Sequence, residues 1–177
     1  MKTGQKTTTR TIRLPSKIDG ILQKDAKEKR TTVNSLISTA LTKYAEWDRY
    51  SESVGFINLP RNAFKLIIDS LDDEKIKRIA EETGARIAKE LMMFIFKKIT
   101  LDTFLSMNSL WFRYSGVGIY EIETNEREYT IVMHHELGRK WSTYLAHFAS
   151  QALKGTLGVV PKFNITEHSV VIEFFIP

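Results

Sequence analysis

The sequence of 177 residues contains no cysteine, which excludes a disulfide framework and any metal site built on thiolates. No apolar run approaches the roughly 20 residues that a membrane-spanning helix requires, and the N-terminus lacks the apolar core of a signal peptide. The sequence also has no internal repeat and no low-complexity tract. We therefore expect a soluble, cytoplasmic protein that has no membrane partner.

Acidic residues are scarce at the N-terminal end. The first 50 residues contain 11 Lys and Arg against 5 Asp and Glu, whereas the remaining 127 contain 15 against 16. The net charge of +5 therefore comes from the N-terminal end, as is typical of a nucleic-acid-binding segment. Lys2, Lys6, Arg10 and Arg13 precede the first predicted helix with no acidic residue among them, which predicts a basic arm that contacts phosphates.

Residues 8–15 alternate between polar and apolar side chains, which predicts a β-strand. Thr9, Thr11 and Arg13 share one face, and this set suits base reading because Arg can pair with guanine and Thr can contact base edges. Ile12 and Leu14 share the other face. Because a lone strand leaves its backbone groups unpaired, we expect an identical chain to supply the partner strand.

Two amphipathic helices are predicted after this strand. Ser16 is a suitable N-cap for the first, and Thr32 is a suitable N-cap for the second. The free backbone amides at the start of the second helix, around Thr32, Val33 and Asn34, predict a phosphate contact. The alternative is an ordinary helical hairpin beside a solvated surface strand, with no role in binding.

The segments RTIRLP (10–15) and TVNSLISTAL (32–41) together resemble the CopG/MetJ/Arc ribbon–helix–helix superfamily of DNA-binding proteins. The resemblance covers residues 8–48. It implies a dimer that inserts a two-stranded antiparallel ribbon into the major groove of double-stranded DNA. It further implies that Thr9, Thr11 and Arg13 read bases and that residues 32–34 anchor phosphates.

The rest of the chain is predicted to form a separate domain. Gly55 and Pro60 interrupt the helical pattern, which predicts a DNA-binding domain at 1–50, a linker at 51–59 and a second domain at 60–177. In the second domain, helical periodicity from 61 to 114 gives way to two strands, a helix around 141–153 and two final strands. The predicted fold class is therefore α+β: a ribbon–helix–helix head, then an α+β domain with a mostly antiparallel sheet.

The order of elements in the second domain resembles the ligand-binding domains of the 4-vinyl reductase and heme-nitric-oxide-binding type. The layout also resembles nickel-responsive ribbon–helix–helix repressors, but their nickel site needs a cysteine that this chain lacks. One aromatic and Met-rich set can line an apolar ligand pocket or simply form the core. Its members are Met92, Met93, Phe94, Phe96, Phe104, Met107, Trp111 and Phe112.

The second domain shows no recognisable catalytic or metal-binding arrangement. His134 and His135 are adjacent on a predicted strand and therefore point to opposite faces, although His147 could approach one of them. Glu136 and residues 138–140 are consistent with an anion site or with ordinary helix capping. We expect no catalytic residues, no metal and no cofactor.

These observations predict a dimeric or higher-order transcription regulator rather than an enzyme. Its C-terminal domain would sense a small-molecule effector or mediate assembly. The alternative function is an antitoxin-type DNA-binding protein that neutralises a partner through its C-terminal domain.

Overall fold

The computed structural model describes residues 7–177, and within them the chain is mostly helical with one small sheet. The helices are α1 (Ser16–Glu28), α2 (Val33–Lys43), α3 (Arg49–Val54), α4 (Arg61–Asp69), α5 (Asp73–Phe96), α6 (Leu101–Ser115) and α7 (Arg139–Leu157). A π-helical turn, Tyr44–Asp48, lies between α2 and α3. The strands are β1 (Ile119–Asn125), β2 (Glu128–His134), β3 (Lys162–Ile165) and β4 (Ser169–Phe175). None of these helices has the length and apolarity needed to cross a membrane.

The chain divides into two compact units, one that ends at Ala45 and one that begins at Glu46. The first unit contains α1 and α2, which contact each other. Thr32 is the N-cap of α2 as predicted, because its Oγ1 accepts a hydrogen bond from the Ser35 amide at 3.1 Å. Among residues 7–45, Ala26 alone is buried, so most of the apolar side chains of this unit remain accessible.

The predicted fold class is wrong, because residues 7–15 form no strand and the chain shows no two-stranded ribbon within residues 7–177. These residues are exposed, and no strand of the described chain lies alongside them. The alternating pattern of residues 8–15 indicates strand propensity, but a strand exists only where a second strand accepts its hydrogen bonds. The first six residues of the predicted basic arm, including Lys2 and Lys6, lie outside the described residues.

The second unit holds an antiparallel sheet of order β1-β2-β4-β3. Two strands precede α7 and two follow it, in the order that the sequence pattern predicted, and a tight turn joins β1 and β2. Side chains alternate, so Ile131, which pairs with Ile172, faces the core, as does Met133, which pairs with Tyr120. α7 packs against β3 and β4 on one side and along α5 on the other.

The contact between α5 and α7 depends on a glycine. A Cβ atom at Gly84 would lie 2.3 Å from the backbone oxygen of Phe148, so only glycine permits this close approach. A glycine in a helical pattern can end the helix or only weaken it, and Gly84 lies inside one continuous helix of 24 residues. Burial along this seam therefore holds α5 together across a residue with low helix propensity.

Candidate functional site

The second unit contains a cavity of about 190 Å³, which we call the aromatic cavity. It lies between α5, α6 and α7, with Phe56 contributing from the segment after α3. All of its lining side chains except Asn108 and the hydroxyl group of Tyr144 are apolar. The lining residues are Phe56, Ile87, Ala88, Leu91, Met92, Phe104, Met107, Asn108, Trp111, Tyr144 and Phe148.

Stacked rings form one wall of the aromatic cavity. The ring of Tyr144 lies parallel to that of Phe148, with 5.8 Å between ring centres, and on its other side it stacks on Trp141 at 4.7 Å. These three residues are spaced i, i+3 and i+7 along α7, and this spacing places them on one face of the helix. Trp111 of α6 meets Phe148 at 6.2 Å and connects this wall to the next helix.

Two polar groups of the aromatic cavity differ in their hydrogen bonding. The Tyr144 hydroxyl lies 3.1 Å from Thr83 Oγ1, and burial raises the pKa of Tyr144, so the hydroxyl stays protonated. Asn108 Nδ2 donates to the Phe104 carbonyl at 2.8 Å. Asn108 Oδ1, in contrast, accepts no hydrogen bond from any residue in the described range 7–177. The cavity therefore offers a ligand one free acceptor in apolar surroundings.

An open apolar cleft of about 750 Å³ adjoins the aromatic cavity and shares Phe56 and Trp111 with it. Residues 56–60, which have no regular secondary structure, contribute to its lining. Trp141 also lines this cleft, and its indole Nε1 is buried without a hydrogen-bond partner among residues 7–177. A buried donor without an acceptor is uncommon in folded proteins and is a position where a bound molecule can supply the missing oxygen.

A second cleft, of about 670 Å³, lies where α4, α6 and the ends of the strands meet, and we call it the polar cleft. It is lined by Arg61, Ser109, Phe112, Arg113, Gly116, Val117, Gly118, Ile119, Tyr120, His134, His135, Glu136 and His168. Arg61 donates to Glu136 Oε2 at 2.8 Å and to the Gly116 carbonyl at 3.0 Å. The sequence left an anion site and ordinary helix capping open for Glu136 and residues 138–140. In the structure Lys140 donates to the carbonyls of Asp69 and Leu71 at the end of α4.

His134 and His135 point to opposite faces of the sheet as predicted, and only His135 is buried. His135 Nδ1 accepts from the Leu137 amide at 3.2 Å, so Nε2 carries the proton and donates to Ser142 Oγ at 2.9 Å. Burial, aided by the nearby His168, lowers the pKa of His135 to about 4 and keeps the ring neutral. A protonated Nε2 cannot take a proton from Ser142, so this buried pair is structural rather than nucleophilic.

His147 does not join the other histidines, because its Nδ1 lies 3.0 Å from Glu81 Oε1 on α5. Within residues 7–177, no group of three metal-binding side chains is placed to hold a metal ion.

The six residues predicted to contact DNA lie in the first unit in two sets. Thr9, Thr11 and Arg13 are exposed in the irregular segment before α1. Thr32 caps α2, and Val33 and Asn34 form its first turn. The second set is therefore assembled at a helix start, as the sequence predicted, whereas the first set lacks the strand that would have aligned its side chains.

Half of the Met-rich and aromatic set predicted as a possible pocket lines the aromatic cavity. Met92, Phe104, Met107 and Trp111 lie there, whereas the other four members do not. Sequence reasoning did not assign Phe56, Ile87, Leu91, Asn108, Tyr144 or Phe148 to the pocket. The i, i+4 spacing of Ile87 and Leu91 and the aromatic spacing along α7 mark core-facing helix surfaces, but neither pattern shows which core residues surround a cavity.

Comparisons with known proteins give limited information. No protein-family model matches the chain, and no curated protein matches it. Among solved structures, it is similar to the phenol-responsive sensory domain of the transcription activator PoxR, crystallised with phenol. That similarity has a TM-score of 0.45 and 14% sequence identity, and it covers 68% of this chain and 76% of the other. A likeness of this degree carries no argument about function, so the aromatic cavity has to be interpreted from its own chemistry.

Proposed function

We propose that this chain is a ligand-responsive transcription regulator whose second unit binds a small aromatic molecule and whose first unit binds DNA. The aromatic cavity is the observation that carries this proposal. Its volume of about 190 Å³ compares with the engineered apolar cavity of roughly 150 Å³ that binds benzene. The space therefore fits a single aromatic ring with a small substituent.

The chemistry of the lining defines the ligand further. Trp111, Tyr144 and Phe148 offer ring faces and edges for aromatic packing. The free Oδ1 of Asn108 favours a ligand that donates one hydrogen bond, such as a ring hydroxyl or ring N–H. Among residues 7–177, no carboxylate, imidazole or serine hydroxyl lines this cavity, so we propose binding rather than catalysis at this site.

The first unit has the charge expected of a DNA-binding segment. Residues 1–45 contain 10 Lys and Arg against 3 Asp and Glu. We propose that exposed Arg13, Thr9 and Thr11 contact bases or backbone. The amides at the start of α2, at residues 32–34, would contact a phosphate.

The first unit also has large apolar side chains that are exposed, and this supports the proposal of a homodimer. Ile18 and Ile21 of α1 and Leu41 of α2 are between 44% and 61% exposed. A segment of about 40 residues rarely supports a stable core without a metal, a disulfide or a partner chain. We propose that a second copy of this unit covers these side chains.

Binding of the single-ring compounds phenol and 4-methylphenol to the full-length protein tests the sensor proposal. All three tryptophans, Trp47, Trp111 and Trp141, lie in the second unit, so their fluorescence reports on that unit alone. We expect saturable changes with both probes and a much smaller response to a non-aromatic alcohol of similar size. If the fluorescence does not saturate with any single-ring compound, the sensor proposal is wrong.

A matched pair of variants locates the binding site. Ala88→Leu adds three carbons inside the aromatic cavity and should abolish probe binding. Ala85→Leu makes the same change three residues earlier in α5, at an exposed position outside the lining, and should bind the probes normally. Equal affinities for the two variants would place the probe elsewhere.

A further inference from the structure

The polar cleft contains hydrogen-bond donors that have no acceptor among residues 7–177. His134 and His168 line it with exposed imidazole rings, and neither ring takes part in a hydrogen bond with another residue of the described range. The guanidinium of Arg61 has five N–H groups and donates one hydrogen bond to Glu136 and one to the Gly116 carbonyl, so N–H groups remain for a ligand. Unpaired donors in one cleft are the chemistry that recognises a ligand rich in acceptors.

Tyr120 lines the same cleft and carries a buried hydroxyl group. Its hydroxyl is buried and has no hydrogen-bond partner among residues 7–177, and its ring packs on Phe112 with 5.4 Å between centres. Burial raises the pKa of Tyr120 far above its ordinary value, so the hydroxyl keeps its proton and can only donate to an anion. Leaving such a group unpaired is unfavourable, and a bound oxygen atom would remove that cost.

The formal charges at the polar cleft favour an anion. Arg61 and Arg113 are positive, and Glu136 is the negative side chain that lines the cleft with them. The Glu136 carboxylate is already bonded to Arg61. Arg113 lies 3.4 Å from Glu46, a carboxylate that also accepts a hydrogen bond from Tyr114 at 2.6 Å. Glu136 and Glu46 therefore already bind protein side chains, whereas Tyr120, His134 and His168 have no hydrogen-bond partner for their side chains among residues 7–177.

The backbone holds the two sides of the polar cleft together. A Cβ atom at Gly118 would lie 2.1 Å from the carbonyl oxygen of His134, so a glycine is required where the α6–β1 connection meets the end of β2. His135 then pairs its backbone amide with the carbonyl of His168 at 2.9 Å, which fixes the β3–β4 turn beside β2. The imidazoles and the tyrosine are thus positioned by backbone contacts and not by their own hydrogen bonds.

We propose that the polar cleft is a second ligand site, which binds a small molecule through an oxyanion group, either a phosphate or a carboxylate. This site is separate in chemistry from the aromatic cavity, and it stands whether or not that cavity binds an aromatic ligand. The Tyr120 hydroxyl, the two imidazoles and the spare N–H groups of Arg61 donate to the oxyanion. The site lies entirely within the second unit.

Calorimetric titration of the full-length protein with inorganic phosphate, and separately with acetate, tests this proposal, with chloride at matched ionic strength as the reference. We expect saturable binding of one anion or both. Tighter phosphate binding would identify a phosphate group as the ligand feature, and tighter acetate binding a carboxylate. If neither anion binds more tightly than chloride, the proposal is refuted.

The variant Tyr120→Phe removes only the unpaired hydroxyl. We expect it to weaken anion binding about tenfold or more, since hydrogen bonds to charged acceptors are among the stronger ones. The thermal midpoint of the free protein should stay unchanged or rise, because a buried group without a partner has been removed. Tyr129→Phe is the matched control, since Tyr129 lies on the adjacent strand, stacks on Phe174 and does not line the cleft.

His168→Ala, in the exposed β3–β4 turn, removes an imidazole donor and gives a second test that does not depend on core packing. It should weaken binding of the same anion, whereas Tyr129→Phe should not. Wild-type anion affinity in both Tyr120→Phe and His168→Ala would place the bound anion elsewhere and overturn the proposal. If Tyr120→Phe fails to fold, the affinity of His168→Ala decides the question alone.

Discussion

Gly84 controls how closely α5 approaches α7, and replacing it with alanine should destabilise the second unit. In a solvated helix the change would be favourable by roughly 0.5–1 kcal/mol, because alanine has the higher helix propensity. Here the new methyl group would lie 2.3 Å from the Phe148 carbonyl oxygen and 3.0 Å from two further backbone atoms of Phe148. Backbone atoms cannot move aside as the end of a side chain can, so the two helices must separate.

The balance of these effects sets the expected magnitude. Overpacking of a tight interior costs typically 1–3 kcal/mol, and contacts with backbone belong at the upper end of that range. After the gain in helix propensity, we expect a net loss of about 2 kcal/mol in the free energy of unfolding. For a unit of this size, that loss lowers the thermal midpoint by roughly 8 °C. Urea titration and thermal melting followed by circular dichroism measure both quantities.

Two other helical glycines provide controls for Gly84→Ala. A Cβ atom at Gly20 in α1 would have no neighbour within 4 Å, and one at Gly155 in α7 would lie 3.6 Å from Ala85 O, an ordinary contact. Both alanine variants should therefore be as stable as the wild type or more stable, by up to about 1 kcal/mol. If Gly84→Ala behaves like these two, the close approach of α5 and α7 does not limit stability and the reasoning fails.

Three further predictions concern other parts of the chain. Arg13→Ala should weaken the free energy of specific DNA binding by about 1–3 kcal/mol, measured by fluorescence anisotropy on a duplex selected from a random pool. An equal loss of affinity for unselected DNA would show that Arg13 contacts only phosphate. A fragment of residues 1–50 should melt at a temperature that rises with its concentration, and a concentration-independent melt of a monomer would contradict the proposed dimer. His135 is buried in its neutral form with a pKa of about 4, against roughly 6.5 in the unfolded chain. As the pH falls from 6.5 toward 4, the unfolded chain takes up a proton at this residue and the folded chain does not, so the free energy of unfolding decreases. Unfolding titrations at pH 7 and pH 5 should show this loss, and His135→Gln should remove most of the slope between them.

The sequence predicted the elements of the second unit because their signals are local. Helical spacing marks α4 to α7, and alternation marks β1 and β2, where Tyr120, Ile131 and Met133 face the core. Such patterns reflect which face of an element is buried, and burial dominates the energy of folding. The sequence pattern could not predict that α5 continues across Gly84. The glycine is required by a contact with Phe148, which lies 64 positions away in the chain.

The first unit and the candidate sites were less predictable for a related reason. The alternation of residues 8–15 predicted a strand, but strand formation depends on a partner that the pattern itself does not contain. The aromatic cavity mixes residues from four separate segments, among them Phe56, which follows α3, and Phe148 of α7. Each of these residues has an ordinary core pattern, and only their three-dimensional arrangement leaves space between them. Likewise, no sequence signal shows that the Tyr120 hydroxyl lacks a partner.

The same backbone contact that limits stability also determines which ligands the aromatic cavity can hold. Gly84 fixes the distance between α5 and α7, and Ala88, one turn later, lines the cavity opposite Tyr144 and Phe148 of α7. The backbone contact between Gly84 and Phe148 therefore determines the width of the cavity between these helices. Side chains, which can change rotamer, do not determine it. If the cavity binds an aromatic ligand as proposed, we expect a ring with a small substituent to enter without separating the helices. A fused three-ring compound would have to move them apart at the overpacking cost of about 1–3 kcal/mol. That cost corresponds to a loss in affinity of roughly 5- to 150-fold, so we expect the packing of α5 against α7 to select for the smaller ligand.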